Sequence, residues 1–235
     1  APSFLYQYGG CAYAMVRTLG CTLEYAENFI NNEKELFPDV EKFYEQVVFP
    51  MVEETGAKNM HREQTDDGVW RIYKRGYWRS PGGTCYSFRQ HLRKVNGQKV
   101  MQYKPTEMRN YGIQGETAFW VQAVAGLLIR WLLSNNFFDG KCLPINQCHD
   151  SFYLDCAADC PHEAYVGIKA IMQCIPEYIN FMWPEYKIHV PFPAEAEYGP
   201  SMYNKNHVEY SDGEVEEYKK KFLTMLGIPY ARWGN

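Results

Sequence analysis

Leu143-Pro144-Ile145-Asn146-Gln147-Cys148-His149-Asp150-Ser151-Phe152-Tyr153-Leu154-Asp155-Cys156 is the stretch that decides the fold class. Its first half, to Cys148, is mostly apolar, and the second runs on from Ser151 with strand-forming residues. His149-Asp150 falls between the halves, so the segment reads as a hairpin with a histidine and a carboxylate at its tip. An aspartate in a turn is usually a turn former. It can also hold a divalent cation in a cleft. Mg2+ suits a few carboxylates completed by substrate phosphates. Two-metal phosphoryl transfer needs at least two carboxylates from different segments, with ions ~4 Å apart.

Upstream, residues 118–133 form the most apolar run. It contains Gln122 and Arg130 and is shorter than the ~20 residues a bilayer demands, so it reads as a buried core helix and no membrane partner is expected. Lys104-Pro105-Thr106-Glu107 opens that helical stretch, and Asn135, Asn136, Asp139 and Gly140 mark a loop after it. Residues 66–100, with Trp70, Ile72, Tyr73 and scattered glycines among arginines, read as short strands and turns. Residues 22–48 read as helix, capped by Thr22 and interrupted at Pro38. At the start, Pro2 suits a first helical turn, Phe4 and Tyr8 lie four apart on one face, and Gly20 can cap the next helix. Structure is expected from the first residues. Downstream, residues 162–175 predict a helix, 187–192 a strand, and 212–226 a charged amphipathic helix. The order predicts an α+β fold with a small antiparallel sheet.

The 235 residues allow one large domain or two small ones, and 46% hydrophobic content allows a real core. Nineteen tyrosines dominate an aromatic share of 16% and suit wet surfaces that stack on something. The net charge of −4 argues against a free-standing nucleic-acid binder. The middle is locally basic, however, with Arg62, Arg71, Lys74, Arg75, Arg79, Arg89, Arg93, Lys94 and Lys99 able to face phosphate. Eight scattered cysteines suggest reduced thiols rather than a disulfide framework. For zinc, Cys156, Cys160 and His162 come closest, with Cys148 and His149 nearby, but no second ligand pair completes the pattern.

The segments Phe4 to Gly9, Asn110 to Gly115, Ile145 to Ser151 and residues 187–203 together resemble segments of family A DNA polymerases. Phe4-Leu5-Tyr6-Gln7-Tyr8-Gly9 is similar to the end of that family's O-helix motif, whose lysine would stand just before Ala1. Asn110-Tyr111-Gly112-Ile113-Gln114-Gly115 is similar to the Asn-x-x-x-Gln-Gly element that opens a long palm helix. Ile145 to Ser151 is similar to motif C, with Ser151 in place of the usual glutamate. Residues 187–203 resemble the closing strand and its Gly-Pro ending, with Tyr203 where tryptophan is common. The motifs stand in family order and cover nearly the whole chain.

The resemblance implies a fingers portion over residues 1–104 and a palm portion with the motif C hairpin over 105–235. It implies that Phe4 stacks near the incoming dNTP and that Tyr8 packs on the template side. The Asn110 and Gln114 amides would donate to minor-groove acceptors common to all base pairs. Gly9 would lie along the DNA, and Gly112 and Gly115 would let the duplex approach. His149 would contact the primer 3′ end, and Asp150 would bind catalytic Mg2+. Motif A, with its first metal-binding aspartate, has no match here, nor do the thumb or an exonuclease. The expectation is therefore a C-terminal subunit or fragment, of a bacteriophage split polymerase in the host cytoplasm. It would work on primer–template DNA with a second chain supplying motif A. The alternative is a non-catalytic DNA-binding or scaffold subunit that keeps the fold.

Overall fold

A computed structural model describes residues 2–95 and 97–230. The chain is α+β, with one three-stranded and three two-stranded antiparallel sheets among the described residues. It divides into two compact units, Ala1–Glu116 and Thr117–Asn235. The division falls inside the helical run Pro105–Ser134, whose opening turns pack with the N-terminal residues.

The first unit starts with α1 (Pro2–Gln7), α2 (Ala12–Leu19) and α3 (Leu23–Leu36). Gly20 closes α2 in the left-handed conformation, and the Thr22 hydroxyl accepts the Tyr25 N–H to start α3. Pro38 begins α4 (Pro38–Phe43), which runs through a π turn (Tyr44–Val48) into α5 (Phe49–Ala57). Strands β1 (Met60–Gln64), β2 (Trp70–Arg79) and β3 (Cys85–Arg89) form the sheet, and β4 (His91–Val95) and β5 (Gln98–Gln102) a separate hairpin. Helix α5 lies on β2 at Gly76, where a Cβ would sit 2.2 Å from the Val52 carbonyl oxygen. Tyr44, Val48, Val52, Trp78, Phe88, Tyr103 and Met108 make the core around that contact. The unit ends with α6 (Pro105–Asn110) and a second π turn (Tyr111–Gly115).

The second unit is built on α7 (Glu116–Ser134). The helical run Pro105–Ser134 is long and apolar enough, by length and composition, to cross a membrane. Val124, Leu127, Leu128, Trp131 and Leu132 face the core of this unit, while Ile129 and Leu133 are exposed, so the helix is buried on one face only. The loop after α7 is a left-handed turn: Asn136, Phe137, Phe138 and Asp139 all have positive φ, and Phe138 is held against Trp131 at 5.3 Å. Then come the hairpin β6 (Cys142–Cys148) and β7 (Ser151–Cys156), α8 (His162–Gln173) and α9 (Ile175–Met182). The short pair β8 (Glu197–Tyr198) and β9 (Asn206–His207) follows, and then α10 (Asp212–Met225). Gly167 on α8 lets Trp131 pack closely, since a Cβ there would fall 2.3 Å from the indole. The buried pair Lys219–Glu177, at 3.4 Å, ties α10 to α9.

One predicted element is corrected. Residues 187–192 are not a strand. Ile188 pairs its backbone with a side chain instead: its N–H donates to Asn180 Oδ1 at 2.7 Å, and its carbonyl accepts from Asn180 Nδ2 at 2.8 Å. An amide side chain thus replaces a neighbouring strand.

The first unit turns on Glu41 and Arg109. The guanidinium donates two parallel bonds to the carboxylate, Nη1 to Oε1 at 2.8 Å and Nη2 to Oε2 at 2.6 Å. Tyr6 donates to the same Oε1 at 2.7 Å, and Tyr44 donates to the Arg109 carbonyl at 3.1 Å. The arginine lies over the Tyr44 ring at 4.8 Å. The Arg109 hydrogen bonds hold the Glu41 carboxyl below its ordinary value, against the opposing effect of burial. A depressed carboxyl value stabilises the fold above the unfolded value and loses that contribution as pH falls through the folded one. Glu41→Gln should therefore cost about 3 kcal/mol near neutral pH, with the gap from wild type closing below pH ~4.3. Denaturant melts of both proteins across pH 3–7 read this out; a gap constant with pH rejects the ionic reading.

Candidate functional site

In the first unit, α1 is tied down by its polar residues. Ser3 Oγ and Gln7 Nε2 donate to the two oxygens of buried Glu33 at 2.7 and 3.2 Å, and Tyr6 reaches Glu41 from another face. What is left outward is Phe4, 63% exposed, with Tyr8 against it at 4.4 Å between ring centroids. The shared face predicted for Phe4 and Tyr8 is present, and it is not a core face.

Gly9 has a structural reason of its own. Its φ is +80°, and a Cβ would stand 2.8 Å from Thr106 Cα on α6. The chain start is thereby seated on the helix that carries Asn110. Asn110 closes α6, and Gln114 sits in the π turn Tyr111–Gly115. Such a turn is rare and is frequent at functional sites. Gln114 is exposed. Asn110 Oδ1 is buried with no hydrogen-bond partner among the described residues. Asn110 does not cap the helix; its backbone is helical. A buried amide oxygen without a donor is uncommon and calls for a ligand or water group to satisfy it.

The flanking glycines require a correction. They do not clear space for a duplex, because tyrosines fill that space. A Cβ at Gly112 would lie 3.0 Å from Tyr44 Oη, and one at Gly115 2.5 Å from the Tyr86 ring. Burial pushes the Tyr44 hydroxyl up to about 12, so it stays a donor.

Arg62 of the middle segment lies over the Trp70 ring, and seven of the other cations divide into two sets. Arg71 pairs with Asp67, Arg89 with Glu63, Arg75 donates to Ser87, and Arg79 to the Gly83 carbonyl. Arg93, Lys94 and Lys99 are exposed on the β4–β5 hairpin, with Lys94 directly opposite Lys99. Like charges directly opposite destabilise a ladder unless an anion lies over them.

In the second unit, β6 and β7 pair from Cys142↔Cys156 to Cys148↔Ser151, with an irregularity between Pro144 and Asn146. His149 and Asp150 are the two loop residues and both are exposed. His149 has φ +54° and Asp150 does not have positive φ. A positive φ at the first loop position alone belongs to a turn in which glycine normally stands there. A histidine held in that conformation is strained, and such strain gathers at functional sites. Two residues that the sequence reading missed support the tip. Gln122 of α7 donates to Gln147 Oε1 at 3.2 Å, and Gln147 Nε2 reaches the His149 carbonyl at 3.4 Å. Their only sequence signal was amide chemistry beside the motif.

Among the described residues, Asp150 joins no group of three metal-ligating side chains; Cys142, Cys156 and Cys160 do form one. The zinc candidates Cys156 and Cys160 are thus together, while His162 faces Glu214 at 3.6 Å and Cys148 lies at the far end of the hairpin. Comparison with known protein families, with curated proteins and with solved structures finds no match to this chain.

His149→Gly should raise unfolding stability by about 0.5–1 kcal/mol by relieving the left-handed residue. A lower melting temperature for the glycine variant would show instead that the imidazole holds the turn.

Proposed function

We propose that this chain is the C-terminal fingers-and-palm part of a family A DNA polymerase, acting in template-directed nucleotidyl transfer with a polypeptide that supplies motif A. The observation that carries this reading is the hairpin tip: a two-residue turn presents His149 and Asp150 to solvent, with the histidine at positive φ. Turn chemistry alone would favour glycine there.

The other residues fit the roles that the resemblance implies. Exposed Phe4, backed by Tyr8, offers a ring for the base of an incoming dNTP. Asn110 and Gln114 offer amides for the minor-groove acceptors of primer–template DNA, a contact that checks pair shape without reading sequence. Arg93, Lys94 and Lys99 offer phosphate contacts on a chain of net charge −4. His149 positions the primer 3′ end. Asp150, whose carboxylate has no partner among the described residues, is free to help hold Mg2+. Bound Mg2+ would neutralise charge at the phosphoryl centre. A second carboxylate must come from the motif A polypeptide. Ser151 contributes a hydroxyl where the family has glutamate.

One observation favours the alternative of a non-catalytic DNA-binding or scaffold subunit: Asp150 has no companion carboxylate in a ligand cluster among the described residues. Asp150→Ala separates the two. In the complex with a motif A chain, primer extension should fall by at least ~10³-fold while primer–template binding is kept, since only transition-state stabilisation is removed. Extension that is unchanged makes the chain a scaffold.

A second test concerns the cationic hairpin. Lys94→Ala with Lys99→Ala should weaken primer–template binding similarly for all sequences and lower the salt slope by about 1 for each phosphate that the lysines neutralise. A slope identical to wild type places the DNA elsewhere.

A further inference from the structure

The three cysteines at the base of the motif hairpin take no part in the chemistry above. Cys142 opens β6, Cys156 ends β7 directly across from it, and Cys160 follows in a turn. That turn is built by two backbone bonds: the Ala157 N–H donates to the Lys141 carbonyl, and the Cys160 N–H to the Ala157 carbonyl, both at 2.9 Å. The chain is thereby folded back so that Cys160 faces the strand ends. All three sulfurs lie within 4.8 Å of one another. Cys142 and Cys156 are 3.7 Å apart, Sγ to Sγ.

That spacing is the contact distance of two free thiols, excludes a disulfide and is compatible with a shared metal ion. A disulfide needs about 2.05 Å between sulfurs. Two thiolates on one tetrahedral zinc, each ~2.3 Å from the ion, stand ~3.8 Å apart. The Cys156-x-x-x-Cys160 spacing falls in the range of zinc ligand pairs. The surroundings also fit. Cys142 is fully buried, while Cys156 and Cys160 are half-buried.

We propose that Cys142, Cys156 and Cys160 bind one Zn2+ ion through three thiolates, with the fourth position open to water on the half-buried side. Binding displaces three thiol protons to solvent and changes no oxidation state. The ion clasps the open end of the hairpin whose closed end carries His149 and Asp150, and it pins that end to the start of α8. The site is independent of the polymerase reading, since its readout is metal content.

The test uses the full chain purified without chelator. Elemental analysis should find about one zinc per chain, falling at least ~5-fold in Cys160→Ser and unchanged in Cys85→Ser. Cys160 is the best target because it lies in a turn, whereas a polar change at buried Cys142 could unfold the unit. Cobalt titration is the second measurement: thiolate-to-cobalt charge-transfer absorption should appear in wild type, saturate at one equivalent and vanish in Cys160→Ser. A chelator should lower the melting temperature, and zinc but not Mg2+ should restore it. Metal-free protein with no cobalt band overturns the proposal, as does a Cys142–Cys156 disulfide by mass spectrometry. Preferential binding of copper(I) overturns the assignment to zinc.

Discussion

The bidentate Glu41–Arg109 pair is the constraint on which the first unit depends. A buried ion pair is weak evidence for stability by itself, because desolvation can exceed the Coulombic gain. Here both carboxylate oxygens and both terminal guanidinium nitrogens are bonded, and a tyrosine hydroxyl completes the set. The pair thus acts by specifying arrangement. It joins α4 to α6 and, through Tyr6, to α1. With Glu33 holding Ser3 and Gln7, every polar residue of α1 from Ser3 to Gln7 is turned inward to a carboxylate or buried. Phe4 has no remaining direction but outward. The aromatic display is a consequence of where the acids are.

The same economy of space explains the π turn. Residues 111–115 widen the helix where Tyr44 and Tyr86 press on Gly112 and Gly115. Side chains at those two positions would collide with rings, so the glycines serve packing. The Asn110 oxygen stays buried beside that turn with no hydrogen-bond partner among the described residues.

Much of this was legible from residue types. Caps at Gly20 and Thr22, the helix break at Pro38, the strands of residues 66–100 and the two-residue tip of the hairpin follow local rules, and each was read from a few neighbouring residues. The failures share a cause: the deciding partner lies far along the chain. Residues 187–192 have strand-like residues, but Asn180 satisfies the backbone, and no periodicity reports that. Gly112 and Gly115 look like clearance for a ligand until Tyr44 and Tyr86 arrive from other elements. Cys142 escaped the zinc count because 14 residues separate it from Cys156, a gap that only strand pairing closes. At the site, Asp150 and His149 were visible as a pair, whereas Gln122 and Gln147 acquire meaning only when α7 meets the hairpin.

The hairpin shows how one element can carry both strain and position. An isolated two-stranded hairpin is marginal in water. A left-handed histidine adds roughly 1–2 kcal/mol against it. The tip therefore requires stabilisation from elsewhere. Phe152 and Leu154 of β7 pack on the core of the unit, and Cys142 is buried within it. Gln147 grips the main chain at the His149 carbonyl and leaves the imidazole untouched. Strain at the tip is tolerated because the base is fixed, and the supporting bonds avoid the side chains that face solvent. A turn built for stability alone would put glycine at position 149 and have no use for a glutamine relay reaching its carbonyl from α7.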